Sequence, residues 1–239
     1  MDTVRINKRS TKIVAHRGLS GIETENTVAA FVAAANRSYF GIECDMRTSK
    51  DGQLLILHDN TLERIAGVNT SVENENFDYL RSIKLFERGT NERRGDLVLA
   101  TLDEYAKICS KYGKYSILEI KGKISDESLE KMISVLEKHG HTDKTIFISF
   151  NRDSVLSIRK RLPCAKVQFL CSEIDDALIS WLKENNLDLD VYHEALNCEK
   201  IAKLHAAGIV VNCWTVDSKE RAEQLTEWGI DYITTNILE

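Results

Sequence analysis

Eight short β-type runs recur along the chain, each but the last followed by a stretch with helical spacing. This alternation restricts the fold more than any other feature. The runs are KIVA at 12–15, GIECD at 41–45, SILEI at 116–120, TIFISF at 145–150, KVQFL at 166–170, LDVYH at 189–193, IVVNCWTV at 209–216 and IDYITT at 230–235. Helical patterns occupy 26–38, 102–113, 126–139, 152–161, 174–185, 197–207 and 218–228. In 126–139, Leu129, Met132, Ile133 and Leu136 recur at i, i+3, i+4, i+7 and form one apolar face. Ser125 or Asp126 caps its start and Gly140 its end. Repeated β–α units predict an α/β fold, a (β/α)8 TIM barrel. At 239 residues the chain fits one barrel domain over 1–239. A doubly wound sheet is the alternative, but the glycine-rich dinucleotide fingerprint is missing.

LLILHD at 54–59 reads as a ninth strand, separated from the second run only by SKDG. That gap is too short for a parallel crossover, which needs about a dozen residues. Asp51-Gly52 signals a hairpin. With its centre between 51 and 52, Asp45 and His58 are expected to face each other across the two strands. The stretch 60–100 is long for a barrel loop. Its polar part, Asn69 to Asn76, and a short helix, Phe77 to Phe86, read as a small insertion after this hairpin, over the active-site end.

The net charge of −5 argues against a nucleic-acid binder, which needs a basic surface. A small anionic substrate stays compatible, because a few local cations suffice to hold it. The leading MDTVRINKRSTK has no signal-peptide core, and no stretch approaches the ~20 apolar residues of a membrane span. A cytoplasmic protein without membrane insertion is therefore expected. Its six cysteines form no Cys-x-x-Cys pair and are expected to be reduced thiols, Cys44 and Cys213 as small core residues.

Side chains alternate between the faces of a strand. In IECDM, Glu43 and Asp45 share one face; in ILEIK, Glu119 and Lys121 do. With the apolar partners packed under helices, the charged set faces the barrel axis. Three converging carboxylates repel unless a cation is present, and hard oxygen ligands suit Mg²⁺ or Ca²⁺. The competing reading is a buried network neutralised by Lys121, but one lysine does not balance three acids. His16 ends the first run, and the hairpin brings His58 to the same rim. Two histidines beside a metal-bound phosphate can act as general base and general acid. Arg17 and Lys121 can hold phosphate oxygens. Trp214 is either a core aromatic or an apolar wall for substrate carbon. His193 lies at the same rim and has no evident partner in the sequence. His139 and His141 bracket Gly140 and read as solvated, and His205, within a helix, as a surface or packing residue.

In order along the chain, HRG at 16–18, ETENTVAAF at 23–31, IECDMRTSKDGQLLILHD at 42–59, ATLDEY at 100–105, LEIKG at 118–122, ISFN at 148–151, VNCWTVD at 211–217 and GIDYITTN at 229–236 resemble the glycerophosphodiester phosphodiesterase family, in its bacterial, cytosolic type. The resemblance implies a TIM barrel that hydrolyses glycerophosphodiesters to glycerol 3-phosphate and an alcohol with a divalent cation. It implies Glu43, Asp45 and Glu119 as metal ligands, His16 and His58 as the acid/base pair, and Arg17 and Lys121 as phosphate contacts. Glu25 and Asn26 match a Glu-Asn pair bordering the site, Glu25 as a ligand or supporting group on the substrate side. Trp214 matches a substrate-side aromatic. Thr24 and Ala100 stand where the family usually has proline, Asn236 replaces a usual aspartate, and Glu239 a proline.

The expected mechanism takes His58 as base and His16 as acid, with the reverse order open. Attack by water and attack by the neighbouring glycerol hydroxyl, through a cyclic phosphate, both fit. The rivals are a barrel lyase or aldolase and a silent phosphodiester-binding barrel. The alcohol headgroup, the choice of Mg²⁺ or Ca²⁺, and monomer or homodimer stay open.

Overall fold

The computed structural model describes residues 2–239. The chain enters on β1 (Lys12–Ala15), α1 (Val28–Ala35) and β2 (Gly41–Thr48), which turns back as β3 (Leu54–Ile56). The insertion holds β4 (Thr61–Leu62), α2 (Glu63–Ala66), β5 (Val68–Ser71) and α3 (Phe77–Ser82). Strict alternation resumes with α4 (Leu102–Tyr112), β6 (Tyr115–Ile120), α5 (Asp126–Lys138), β7 (Thr145–Ser149), α6 (Arg152–Arg161) and β8 (Lys166–Cys171). It ends with α7 (Asp176–Glu184), β9 (Asp188–Tyr192), α8 (Cys198–Ala206), β10 (Val211–Trp214), α9 (Lys219–Glu227) and β11 (Tyr232–Thr235).

Eight parallel strands, β1, β2 and β6 to β11, form a ring closed by β1, which pairs with both β2 and β11. The expected (β/α)8 barrel is thus what the chain forms. Most of the apolar side chains that face outward from the strands meet the helices in one large core, which holds Ile42, Cys44, Leu118, Ile120, Leu129 and Met132. Inward-facing Val14, Ile117, Ile146, Ile148, Leu170 and Tyr232 fill the barrel axis. The barrel helices, α1 and α4 to α9, start on side-chain caps. Thr101 and Glu104 close a capping box on α4, and the Ser125 hydroxyl accepts from the Ser128 N–H at the start of α5. No helix among the described residues is long and apolar enough to cross a membrane.

The hairpin forms with a register one residue away from the expected one. Met46 lies opposite Ile56, Arg47 opposite Leu55 and Thr48 opposite Leu54, so Asp45 meets Leu57, whose N–H donates to the Asp45 carbonyl at 2.8 Å. The cause is the loop. Ser49 N–H donates to Gln53 O at 2.8 Å across three residues, Lys50-Asp51-Gly52, with Gly52 at φ +74°. A three-residue loop with a left-handed glycine centres the hairpin on Asp51, not between 51 and 52. This register sends Leu54 and Ile56 into the main core. Leu55 and Leu57 point into a second one with Leu62, Ile65, Leu80 and Leu97 of the insertion. His58 follows just beyond β3.

Candidate active site

Parallel pairing of β2 with β6 sets Asp45 beside Glu119, and Glu43 lies two residues earlier on the same face as Asp45. All three acids are buried, and one oxygen from each lies within 4.8 Å of the others. Lys121 Nζ is 2.7 Å from Glu119 Oε1 and 3.3 Å from Asp45 Oδ1. Asn26 clamps the other Asp45 oxygen, its Nδ2 donating to Oδ2 at 2.7 Å. Burial and the Asp45 charge push Glu119 up to about 7 and Glu43 well above the usual carboxylate range. Burial acts on Asp45 in the same direction, but Lys121 and Arg17 hold it below that range.

The first loop wraps this trio. Arg17 and Asn26 both adopt left-handed backbones, at φ +54° and +58°, a conformation non-glycine residues keep only where surrounding contacts hold it. The turn aims the Arg17 N–H at Glu43 Oε2, 2.7 Å away. Asn26 N–H donates to Arg17 O at 2.9 Å. Gly18 follows at φ +76°, and any Cβ there would sit 2.6 Å from the Ala30 backbone. The Arg17 guanidinium lies 2.8 Å from Glu25 Oε1 and 3.4 Å from Asp45 Oδ2. Glu25 does not join the acid trio. Its two oxygens also accept from Arg64, each at 2.8 Å, so it fixes the two arginines.

His16 is half-buried beside the trio, its Nε2 4.0 Å from Glu43 Oε2. Its Nδ1 is 2.8 Å from Asn236 Oδ1. The Asn236 Nδ2 donates to Asp217 Oδ2 at 2.6 Å, which turns the amide oxygen toward the imidazole. Nδ1 therefore carries the proton, and Nε2 presents a lone pair to the cavity. Burial and the Arg17 charge lower the His16 pKa to about 4. His58 is half-exposed, with Nδ1 2.8 Å from Asp59 Oδ1. Arg47 Nε and Nη2 hold its carbonyl at 3.2 and 2.8 Å. Burial lowers the His58 pKa, and Asp45 and Asp59 oppose that effect.

A cavity of about 120 Å³ brings His16, Arg17, Glu43, His58 and Glu119 together opposite a wall of Ile148, Phe150, Leu170 and Trp214. His58 also borders an open cleft of about 620 Å³ with Arg47, Asp59, Arg64 and Lys121. Trp214 is flanked by the exposed rings of Phe150 and Tyr192, at centroid distances of 5.7 and 5.6 Å. His193 turns instead to Arg221, whose Nε is 3.4 Å from its Nδ1. His141, expected in solvent, is buried with Nε2 3.0 Å from Ser116 Oγ. His139 pairs with Asp103.

The donor set suits a hard divalent cation. Asp45 Oδ1 is buried and, among the described residues, makes no hydrogen bond, with the Lys121 ammonium 3.3 Å away as an ion-pair partner. Arg17 and Lys121 offset only two of the three carboxylates. Sequence reasoning missed Asp59, which pairs with the adjacent His58, and Arg64, whose pairing with Glu25 depends on how the insertion folds back. It also missed Asp190, a buried carboxyl lining the same cavity, although the alternation in LDLDVY marks it.

The profile of the Glycerophosphoryl diester phosphodiesterase family matches residues 16–239. A glycerophosphodiester phosphodiesterase of Caldanaerobacter subterraneus subsp. tengcongensis is 28% identical, covering 95% of this chain and 94% of its own. One from Bacillus subtilis is 27% identical over 93% of this chain and 82% of its own. Among solved structures, an Oleispira antarctica phosphodiesterase in complex with the product sn-glycerol-3-phosphate aligns at TM-score 0.87 and 24% identity, covering 97% of this chain and 95% of that one. A glycerophosphodiester phosphodiesterase from Parabacteroides distasonis aligns at TM-score 0.80 and 25% identity, over 95% and 93%.

Proposed function

Because this chain belongs to the glycerophosphoryl diester phosphodiesterase family, we propose that it hydrolyses glycerophosphodiesters to glycerol 3-phosphate and an alcohol, with a divalent cation and the His16–His58 pair. The observation that carries this reading is the single cavity onto which two imidazoles open together with Glu43 and Glu119 of the clustered acid trio. Glu43, Asp45 and Glu119 would hold Mg²⁺ or Ca²⁺, which when bound supplies Lewis-acid stabilisation of charge developing on the phosphoryl oxygens. Arg17 and Lys121 orient the remaining oxygens.

The geometry favours the reverse of the histidine roles expected from sequence. His16 is neutral at pH 7, keeps its proton on Nδ1 against Asn236 and offers Nε2 to the cavity, as a general base requires. It accepts the proton of the attacking hydroxyl, whether that belongs to water or to the glycerol moiety. His58 lies closer to solvent; burial lowers its pKa overall, while Asp45 and Asp59 favour its charged form. The negative diester adds to them, so His58 is placed to protonate the leaving alkoxide.

The test is release of sn-glycerol 3-phosphate from glycerophosphocholine and glycerophosphoethanolamine, in EDTA and then in Mg²⁺ or Ca²⁺. Cation-dependent release supports the proposal. Equal release in EDTA removes the cation from it, and no release with any cation removes the substrate class.

A further inference from the structure

We propose that the Asp190 carboxyl binds a hydroxyl of the glycerol moiety and so selects glycerol-bearing phosphate esters over esters lacking that hydroxyl. This rests on the glycerophosphodiesterase reading and adds to it a specificity residue outside the acid trio and the histidine pair.

Asp190 lies in the middle of β9, between Leu170 of β8 and Asn212 of β10. It is 1% exposed and lines the cavity shared by His16, Glu43 and Glu119. Its Oδ1 is buried and, among the described residues, has no hydrogen-bond partner. A buried polar group left unpaired is destabilising, and such a group in a cavity marks a place for a ligand. The neighbouring interior polar groups satisfy one another instead. Asn212 Nδ2 donates to Gln168 Oε1 at 3.3 Å, and Thr234 Oγ1 donates to Asn212 Oδ1 at 3.3 Å. Nor does Asp190 belong to the carboxylates that converge for a cation.

A second residue lining the same cavity also carries an unpaired polar atom. Trp214 Nε1 is buried without an acceptor among the described residues, and Trp214 lines the wall beside Leu170 and Ile148. An indole N–H only donates. A carboxyl accepts in either protonation state, and when neutral it also donates. A hydroxyl both donates and accepts, so a short polyol fits this pair, its carbons resting on the apolar wall. The phosphate end faces Arg17 and the acid trio. Glycerol is the part common to every glycerophosphodiester, whatever its alcohol.

The experiment compares binding of sn-glycerol 3-phosphate and n-propyl phosphate, which lacks both hydroxyls, to the wild type, Asp190→Val and Asp190→Asn by calorimetry in Mg²⁺. Binding avoids any dependence on which hydroxyl attacks. The wild type is expected to prefer glycerol 3-phosphate by about tenfold or more, since sites built around a hydroxyl discriminate strongly against its absence. Asp190→Val brings the two affinities within about threefold by weakening glycerol 3-phosphate alone, while Asp190→Asn keeps most of the preference because an amide still donates and accepts. The melting temperature of Asp190→Val stays level or rises, because no internal partner is lost. A preference absent in the wild type, an unchanged preference in Asp190→Val, or a loss shared equally by both ligands overturns the proposal. If the wild type discriminates but releases no glycerol 3-phosphate from any diester, the reading of function fails while the hydroxyl subsite stands.

Discussion

The two histidines have different surroundings, and the difference sets their expected behaviour on mutation. His16 is pinned at Nδ1 by an amide that Asp217 itself pins, while His58 is held by its carbonyl and by Asp59. Replacing either imidazole by alanine is expected to lower turnover by ~10² or more with the melting temperature kept, as general acid–base groups behave. Near-normal turnover in both variants would sink the pair. Asn236→Ala should cost about tenfold in kcat with little change in KM, because it frees the tautomer and not the substrate contacts. A change in KM alone would reassign Asn236 to substrate binding. Strand alternation alone singled out Glu43, Asp45, Glu119 and Lys121. The His16–Asn236 contact was not legible, since it depends on barrel closure. Ala15 pairs with Thr235, and the next residues, 16 and 236, therefore stand side by side.

At the scale of elements, the barrel strands and helices were legible because each β–α unit carries its own period. The α5 face is buried where its spacing placed it, at Leu129, Met132, Ile133 and Leu136. The hairpin register was not legible, because two- and three-residue loops share the Asp-Gly signal and both leave Gly52 left-handed; they differ at Asp51, which a two-residue type I′ turn would also hold at positive φ and which is not so here. The one-residue difference decides which leucines enter which core. Gly52 sits at φ +74° with open space where a Cβ would go, so substitution there strains the backbone without a clash. Gly52→Ala is expected to destabilise by about 1 kcal/mol and lower the melting temperature by about 2–4 °C, leaving turnover unchanged. Thermal melts and the diester assay on one preparation check both halves. An unshifted melt would mean that the turn does not depend on the left-handed glycine.

Across the whole molecule, buried ionisable groups make stability a function of pH and of cation. His16 and His141 both have pKa values lowered to about 4 from 6.5, chiefly by burial. Below 6.5 the unfolded chain takes up protons that the folded one refuses, so their contribution is full above 6.5 and is lost as pH falls toward 4. Glu119 works in the opposite direction. Its pKa is raised from 4.5 to about 7, so its contribution is full below 4.5 and is lost as pH rises through 7, and Glu43 is shifted the same way. The cation-free protein should therefore be most stable between these two flanks, near pH 6, and melt earlier on either side. A divalent cation replaces the protons that the carboxylates give up, and binding the folded state alone stabilises it by about 3 kcal/mol at a hundred times its Kd. Added Mg²⁺ or Ca²⁺ should thus raise the melting temperature strongly at pH 8 and little at pH 5, and Glu43→Ala should remove most of that rise. Melts from pH 4 to 9 in EDTA and in each cation test the whole chain of cause. A cation shift of equal size at pH 5 and pH 8, or one that survives Glu43→Ala, would place the bound ion away from the three carboxylates.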